Sequence, residues 1–378
     1  MALVPQRVLN SYKSRSQSIL RVGFDRQIFA FQPQGGISRY FAELISGCNS
    51  LDNLNAVCAF RFHRNTHLDA QHLANVRRSH FLRLVPKIGG FCKSRSCSLL
   101  DLDIVHATFT SGSPYRLRNA KLVCSLFDMI PERYPLLLPR RNPHLNKIEW
   151  FERSDLILSI SKAAADDLSF FFPRLKTPIK VIHLGTSIHF IAPGFSNPIE
   201  FPFWLYVGKR VFYKNLQTLL IALSRAQIKS MPHLICAGGK PFNKHELAFL
   251  RKLNLEHQVH QLPVNDCELA WLYRKAEAVL VPSMAEGFSL PLIEAFACNT
   301  PVICSDIEVH REVGSEFAHF LPGLNSNAWA DFLSSNSTGC LTKPKQALGC
   351  HKYQFLLDYY SQARISSEHS LAYHMLSS

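Results

Sequence analysis

Residues 279–304, VLVPSMAEGFSLPLIEAFACNTPVIC, place an apolar, β-favouring run on either side of a segment that predicts a loop followed by a helix. Gly287 permits a tight turn of the backbone, and Ser289 is a residue type that caps helices. Pro291 stands in the first helical turn, where its missing N–H is not needed. The predicted helix therefore directs unpaired amides out of the carboxyl end of a strand, where α/β sheets bind phosphorylated ligands.

Two carboxylates accompany this loop. The helical residues that share one apolar stripe, at about 100° per residue, are Leu292, Ile293, Phe296 and Ala297. Glu294 lies off the centre of that stripe, so we expect it to face a cleft that Glu286 also reaches. Two carboxylates repel a bare diphosphate, and they are better suited to hydroxyl groups such as those of a sugar. An ordinary helix start with a solvated glutamate is the alternative.

The composition is that of a globular protein with room for two domains: 378 residues, 47% hydrophobic and 19% charged. We find neither a run of apolar residues long enough to span a membrane nor the apolar core of a signal peptide. Eleven cysteines without a C-x-x-C pair predict reduced core thiols and a cytoplasmic protein. Asp101-Leu102-Asp103 precedes a strand instead of ending one, and no histidine pair has zinc-ligand spacing, so we predict no metal site.

The charge is concentrated in the first half of the chain. Residues 1–186 carry 26 Lys and Arg against 13 Asp and Glu, whereas residues 187–378 carry 16 against 15. A basic half suggests an anionic partner, and we favour the inner leaflet of a membrane, because the aromatic residues do not alternate with the basic ones as a nucleic-acid platform requires. We therefore predict no nucleic-acid binding. A merely basic, solvated face is the alternative.

Strands and helices alternate in both halves, which predicts an α/β protein with two doubly wound parallel sheets. We predict a first domain over residues 1–186, a proline-containing linker over 187–202 and a second domain over 203–350. We predict loops with a short helix in the serine-rich part of the chain from 322 to 350. Residues 351–378 form a helical tail.

Three further glycine-containing turns follow predicted strands. In Tyr206-Val207-Gly208-Lys209-Arg210, the glycine lets the backbone turn beneath a ligand, Arg210 offers a planar fork, and Lys214 adds a point charge near a helix start. Gly35 and Gly36 open a helix after the first strand and permit close approach of a ligand, although a plain turn is the alternative. Gly238 follows another strand and is predicted to line the same site; here too a bare turn is the alternative.

The nine residues from Glu286 to Glu294 resemble the E-x7-E signature of retaining glycosyltransferases of family four, the group 1 transferases. The resemblance covers most of residues 19–320 and implies the GT-B fold, in which two Rossmann-like domains face a cleft. It implies that Glu294 holds the donor ribose, that Glu286 contacts the transferred sugar, and that Arg210 and Lys214 meet the diphosphate. Gly35, Gly36, Gly208 and Gly238 are expected to bind the donor, as are the loop residues Gly287, Phe288, Ser289 and Leu290. The tail is expected to return to the first domain.

One position departs from the family pattern. The segment Leu126-Phe127-Asp128 resembles a strand-end motif in which many relatives carry histidine before the aspartate. The phenylalanine leaves three interpretations: a variant active site, a contribution from His106 at another strand end, or lost activity. Asp128 either orients an acceptor hydroxyl or caps the next loop.

The resemblance implies an enzyme that needs no cofactor and moves a hexose from a sugar nucleotide to an oligosaccharide or lipid-linked acceptor in surface polysaccharide or lipopolysaccharide assembly. Mannose from GDP-mannose is the expected donor. A sugar-nucleotide-binding module with weakened catalysis and a nucleotide-sugar epimerase of similar shape are the alternatives.

Overall fold

The computed structural model describes residues 19–32, 35–60, 62–63, 65–71, 77–78, 102–137, 147–192, 199–336 and 341–378. The chain divides into two compact units. Unit 1 comprises Met1–Thr108, Arg116–Leu122 and His369–Ser378, and unit 2 comprises Phe109–Tyr115 and Val123–Glu368. The domain boundaries expected from the sequence stay predictions.

The elements that precede residue 121 all lie in unit 1. They are β1 (Leu20–Phe24), α1 (Gln27–Phe31), α2 (Gly36–Asn49), β2 (Leu54–Cys58), β3 (Phe62–His63), α3 (Thr66–Ala70), β4 (Arg77–Arg78) and β5 (Ile104–Ala107). Strand β1 pairs in parallel with β2 and β5, and β3 pairs with β4.

The next elements lead to the second sheet. They are β6 (Lys121–Leu126), α4 (Ile130–Arg133), α5 (Lys147–Arg153), β7 (Leu156–Ser159), α6 (Lys162–Phe171) and β8 (Ile179–Val181). The second sheet and its helices are formed by β9 (Phe203–Val207), α7 (Leu216–Arg225), β10 (His233–Ala237), α8 (Lys244–Lys252), β11 (Val259–Leu262), α9 (Asp266–Lys275), β12 (Ala278–Val281), α10 (Leu290–Ala297), β13 (Val302–Ser305), α11 (Glu308–Gly314) and β14 (Ala318–Leu321). Helices α12 (Ser326–Ser335), α13 (Pro344–Tyr359) and α14 (Gln362–Ser377) follow.

Two six-stranded parallel sheets result, in the orders β2-β1-β5-β6-β7-β8 and β11-β10-β9-β12-β13-β14. The predicted α/β class is confirmed. In the second sheet the chain builds outward from β9 to β10 and β11, then crosses to β12 and continues to β13 and β14. The strand order therefore reverses between β9 and β12, and this topological switch point is where open α/β sheets bind ligands.

The core strands of the second sheet are buried on both faces, which is why they read as continuous apolar runs. Trp204, Leu205, Val279 and Leu280 are each at most 1% exposed. The cysteines expected in core strands are also buried, and none forms a disulfide within the described chain: Cys58, Cys124, Cys236 and Cys304. Among the described residues, no helix is both long and apolar enough to cross a membrane.

The region after residue 322 is more helical than its composition predicts. Helix α12 runs for ten residues, and α13 begins at Pro344. Trp329, Ala330 and Leu333 share one buried face of α12 and join the core formed by α7 and the second sheet. Asn325 caps its first turn by accepting bonds from the amides of residues 327 and 328. Tertiary packing thus overrides the weak helix propensity of the serines and asparagines.

A buried polar contact lies at the centre of unit 1. His106 has no exposed surface, and its Nδ1 is 2.8 Å from the hydroxyl oxygen of Tyr373 in α14. Burial, followed by the nearby His369, holds the pKa of His106 well below its ordinary value. The imidazole is therefore neutral, and its ring packs against Phe24 and Phe41.

We expect Tyr373→Phe to lower the free energy of unfolding by about 1–3 kcal/mol, because it leaves a buried nitrogen of His106 without this partner. Urea unfolding followed by circular dichroism measures the change. Tyr134→Phe is the control, since no hydrogen bond to the Tyr134 hydroxyl is found among the described residues. Equal unfolding midpoints for the two variants would contradict the prediction.

Candidate active site

The switch point of the second sheet holds an ion pair. Lys214 follows β9 and Glu286 follows β12, and the Lys214 ammonium donates to Glu286 Oε1 over 2.5 Å. The hydroxyl of Ser283 donates to the same oxygen over 2.7 Å. The Lys214 and Glu286 side chains are only 18% and 8% exposed, so solvent screens the pair weakly. The two predicted site residues of opposite charge are therefore brought together.

Asn215 fixes the position of this lysine. It adopts the left-handed conformation (φ 52°) between the turn at residues 212–214 and the start of α7. Its side-chain amide donates to the carbonyl oxygens of Pro282 and Gly323, at 3.1 and 2.8 Å. Asn215 therefore joins the loops that follow three strands of the sheet. An asparagine at a helix start is recognisable in the sequence as a typical capping residue. The two long-range bonds that Asn215 makes here could not be predicted from the sequence.

Gly287 is enclosed by backbone. A Cβ at this position would lie 1.8 Å from the carbonyl oxygen of Phe127, and the hydroxyl of Ser161 donates to the Gly287 carbonyl over 2.7 Å. Only glycine fits, so the backbone of the loop lies directly against the segment that follows β6. The sequence predicts Gly287 as part of a tight turn. In the structure a glycine is required at this position because two chain segments approach each other closely.

The amino end of α10 is left uncapped by side chains. Ser289 precedes the helix in the left-handed conformation (φ 75°), and its hydroxyl makes no capping bond, so the expectation that Ser289 caps the helix is wrong. The residue is 4% exposed, and its Oγ has no hydrogen-bond partner in the described part of the chain. A buried hydroxyl and uncapped amides at one helix start suit an oxygen-rich ligand.

Glu294 lies inside α10 and is 3% exposed, so the alternative of a solvated glutamate is wrong. Every residue of the helix from Pro291 to Ala297 is buried, which leaves the carboxylate dependent on a protein partner. The Tyr273 hydroxyl, from α9, donates to Glu294 Oε2 over 2.7 Å. Tyr273 was not among the predicted residues; its position on the buried face of α9 was the available signal.

Arg210 lies beside the glycine turn after β10. Its Nε donates to Glu246 Oε1 and its Nη2 to the Lys240 carbonyl, both over 2.7 Å. The third nitrogen, Nη1, is buried without a hydrogen-bond partner among the described residues. A Cβ on Gly239 would lie 3.1 Å from that nitrogen, and Gly208, Gly238 and Gly239 all have positive φ. The guanidinium is thus held in place with one donor group left for an anion.

Phe288 and Leu290, which flank Ser289, differ in burial. Phe288 is 2% exposed, and its ring packs against His183 and Tyr360. Leu290 is partly buried at the first position of α10. Both belong to the loop that carries the ion pair and the uncapped helix start, so they shape that loop; their contact with a donor stays a prediction.

Asp128 caps the next turn. Its Oδ1 accepts a bond from the amide of Ile130 over 3.1 Å, and the ammonium of the buried Lys147 donates to its carbonyl over 2.8 Å. The geometry supports the capping interpretation of this residue. The Asp128 carboxylate also acts on Tyr213. Burial is the main cause that raises the pKa of Tyr213 to about 12, and Asp128 and Glu286 are the next causes.

Three predicted residues lie in unit 1. His106 is enclosed as described above, an environment that favours a structural role. Gly35 has an extended backbone before α2, and a Cβ there would lie 2.5 Å from Gln32 Oε1. Gly36 begins α2. Part of this turn (residues 33–34) and Asp101 are outside the described residues. The roles of these residues in a donor site stay predictions.

His310 was missed by sequence reasoning. It is fully buried on α11, its Nδ1 lies 2.8 Å from the Ser305 carbonyl, and burial lowers its pKa to about 4. The neutral ring therefore donates from Nδ1. Its Nε2 is a buried acceptor without a partner in the described structure. Glu286 and Lys214 also act on the pKa of His310, the first raising it and the second lowering it. A lone histidine after a strand gave no signal of this environment.

These features coincide with a known family. Residues 193–346 match the family model described as glycosyl transferases group 1. This segment of the chain is similar to group 1 glycosyltransferases. The matched range contains Arg210, Lys214, Glu286 and Glu294, so the family resemblance that the E-x7-E segment predicts is confirmed.

Curated relatives include two mannosyltransferases. The O-antigen chain mannosyltransferase RfbU of Salmonella typhimurium is 34% identical over 130 residues, which cover 34% of this chain and 36% of the relative. The O-antigen chain mannosyltransferase B of Escherichia coli is 26% identical over 251 residues, covering 59% and 65%. The chain thus spans less than two thirds of the length of either relative.

The fold extends beyond the matched segment. The structure of HepE from Anabaena, in complex with UDP and glucose, superposes with a TM-score of 0.68 at 15% identity, covering 94% of this chain and 99% of that one. At this identity the likeness concerns the fold alone. The fold is GT-B, as the resemblance implied.

We expect Gly287→Ala to destabilise the protein by about 1–3 kcal/mol, because the new methyl group collides with the backbone oxygen of Phe127. The comparison is made by urea unfolding. Gly112→Ala is the matched control: it has a positive φ of 70° and no atom within 4 Å of the added Cβ, so it reports backbone strain alone. A Gly287→Ala variant no less stable than the control would contradict the assignment.

Proposed function

We propose that this protein is a retaining glycosyltransferase that moves mannose from GDP-mannose to an oligosaccharide or lipid-linked acceptor in surface polysaccharide or lipopolysaccharide assembly. The observation that carries the proposal is the Lys214–Glu286 pair at the switch point, next to the uncapped start of α10. The names of the two O-antigen mannosyltransferases support the choice of mannose and of the pathway.

The leaving diphosphate would be held by cations and amides. Lys214 supplies a point charge, and Arg210 presents the unpartnered Nη1 beside the turn at residues 238–239. The uncapped amides of α10 and the Ser289 hydroxyl offer further donors. Together these groups stabilise the charge that develops as the bond from the sugar to the phosphate breaks.

The ion pair resolves the conflict between carboxylates and a diphosphate. In the structure, Glu286 is neutralised by Lys214 and hydrogen-bonded by Ser283. A diphosphate competes for the Lys214 ammonium, and a sugar hydroxyl then donates to the carboxylate that loses this partner. Glu294 would accept from the ribose. Lys214 and Glu286 would thus exchange their contact with each other for one ligand contact each.

In the proposed mechanism the configuration is retained because the acceptor attacks from the face that the diphosphate leaves. In the proposed reaction, the bond from the anomeric carbon to the phosphate oxygen breaks as the acceptor oxygen bonds to that carbon. The acceptor proton passes to the departing phosphate oxygen. The protein contributes position, exclusion of water and charge stabilisation.

We expect GDP-mannose and GDP to raise the unfolding temperature of the protein, and Lys214→Ala and Glu294→Ala to abolish that rise. Thermal shift measurements with GDP-mannose, UDP-glucose, UDP-N-acetylglucosamine and the free nucleotides identify the base. Lys209→Ala is the matched control, because this neighbouring lysine is exposed. Stabilisation by none of these compounds, or equal stabilisation of the Lys214→Ala variant, would contradict the proposed donor site.

A donor-binding module without catalysis is the second candidate, and the phenylalanine at position 127 is the observation that favours it. It predicts stabilisation by the nucleotide without release of nucleoside diphosphate in the presence of any acceptor. An epimerase instead predicts conversion of the nucleotide sugar when no acceptor is added. Product analysis of the same reactions separates these outcomes from transfer.

A cytoplasmic protein that docks on the inner membrane leaflet through its basic first half fits a lipid-linked acceptor. Most of the basic clusters, at residues 7–21, 77–87, 93–95 and 140–147, lie outside the described residues. We expect the protein to float with vesicles that contain phosphatidylglycerol at low salt, and to remain in solution with neutral phosphatidylcholine vesicles. Equal flotation with both would contradict docking by charge.

A further inference from the structure

Three aromatic side chains form a group beside the ion pair. Phe212 and Tyr213 belong to the turn that precedes Lys214, and Tyr134 ends α4. The ring of Phe212 lies 5.4 Å from that of Tyr134 and 5.7 Å from that of Tyr213, nearly perpendicular to both. Phe212 is 38% exposed, so this aromatic group presents apolar surface at the edge of the candidate site.

The polar neighbours of this group are carboxylates. Asp128 and Glu286 both act on the titration of Tyr213, and after burial they are the causes that raise its pKa to about 12. The phenol is therefore a neutral hydrogen-bond donor throughout the physiological range. The Tyr213 carbonyl accepts a bond from the Met284 amide over 2.7 Å, which ties the turn to the loop of Glu286.

The group lies away from the part of the site suited to a nucleotide. Arg210 contacts the turn after β10, on one side of β9, and its guanidinium lies over Phe242. Phe212 instead contacts Tyr134, which belongs to the segment that follows Asp128. Along the chain, Phe212 lies between Arg210 and Lys214, and its turn is joined through Tyr213 to the loop that carries Glu286. A second ligand can therefore approach Glu286 from the aromatic side.

A pyranose ring matches these surfaces. Its axial C–H groups form an apolar face that packs on aromatic rings, and its hydroxyl groups form a polar rim that donates to carboxylates. The rings of Phe212 and Tyr134 offer the apolar contact, and Asp128 and Glu286, which both act on the adjacent Tyr213, offer the carboxylates. We propose that Tyr134, Phe212 and Tyr213 form the subsite that binds the sugar ring of the acceptor, with Phe212 as its packing surface.

This inference rests on the proposed function, since it assigns the acceptor side of the same site. It also assigns a role to Phe212, an apolar residue that lies in the sequence between the proposed donor-binding cations Arg210 and Lys214.

The test measures saccharide binding directly. Saturation-transfer NMR is performed with the methyl α-pyranosides of mannose, glucose and galactose, in the presence of the nucleoside diphosphate that stabilises the protein most. We expect saturation of the ring C–H protons by the unaltered protein. Phe212→Ala should raise the dissociation constant of the bound glycoside by about tenfold, whereas Phe212→Trp should retain binding within about twofold.

Two controls separate a subsite from a general loss of structure. Phe201→Ala removes another phenylalanine that is 38% exposed, one that packs on His233 away from the site, and it should leave binding unchanged. Stabilisation of Phe212→Ala by the nucleotide should also match that of the unaltered protein. Glycerol, which has hydroxyl groups but no ring, should show no saturation.

Each other outcome overturns the inference. Equal saccharide binding by Phe212→Ala and the unaltered protein removes the role of the ring. Nucleotide binding without saturation of any of the three glycosides removes the acceptor subsite and leaves the donor site intact. The absence of nucleotide binding is a different result: it contradicts the proposed function from which the subsite was inferred.

Discussion

The ion pair between Lys214 and Glu286 is the contact on which the candidate site depends. It joins the loops after β9 and β12, the two strands between which the strand order of the second sheet reverses. Because both side chains are mostly buried, the loss of either would leave an uncompensated charge at that position. The pair therefore stabilises the ligand-free loops and also keeps a cation and a carboxylate ready at the point where the topology opens a crevice.

The loops are set by backbone constraints more than by side-chain packing. Gly287 admits no Cβ because of the Phe127 carbonyl, and Asn215 and Ser289 adopt left-handed conformations that non-glycine residues seldom adopt. Such conformations persist only where the surroundings determine them. At Asn215 the determining contacts are visible, since its amide bonds two carbonyl groups. At Ser289 the hydroxyl has no hydrogen-bond partner among the residues that the structure describes, and a ligand oxygen would supply one.

The elements around the site were the most predictable part of the chain. The strand, loop, helix and strand predicted over residues 279–304 agree with β12, α10 and β13, because their apolar runs are buried and are bounded by proline, glycine or charged residues. Lys214 and Glu286 were also predicted as site residues from their motifs, although their pairing was not. By contrast, the partner of Glu294 depends on how α9 packs on α10, and the contact between Phe127 and Gly287 joins segments about 160 residues apart. No local pattern encodes such contacts.

The buried environment of the carboxylates explains how one site can accept both a diphosphate and a sugar. Glu294 is satisfied by a neutral phenol, whereas Glu286 is satisfied by a cation and a hydroxyl. A phosphate is not attracted to a neutral phenol, so it would leave Tyr273 bonded to Glu294. Its negative charge would instead compete with Glu286 for the Lys214 ammonium. In the proposed function, ligand binding would therefore exchange a partner of Glu286, whereas Glu294 would keep Tyr273 and gain the ribose hydroxyl. The two glutamates of the E-x7-E segment thus differ in their hydrogen-bond donors, although their sequence motif is symmetrical.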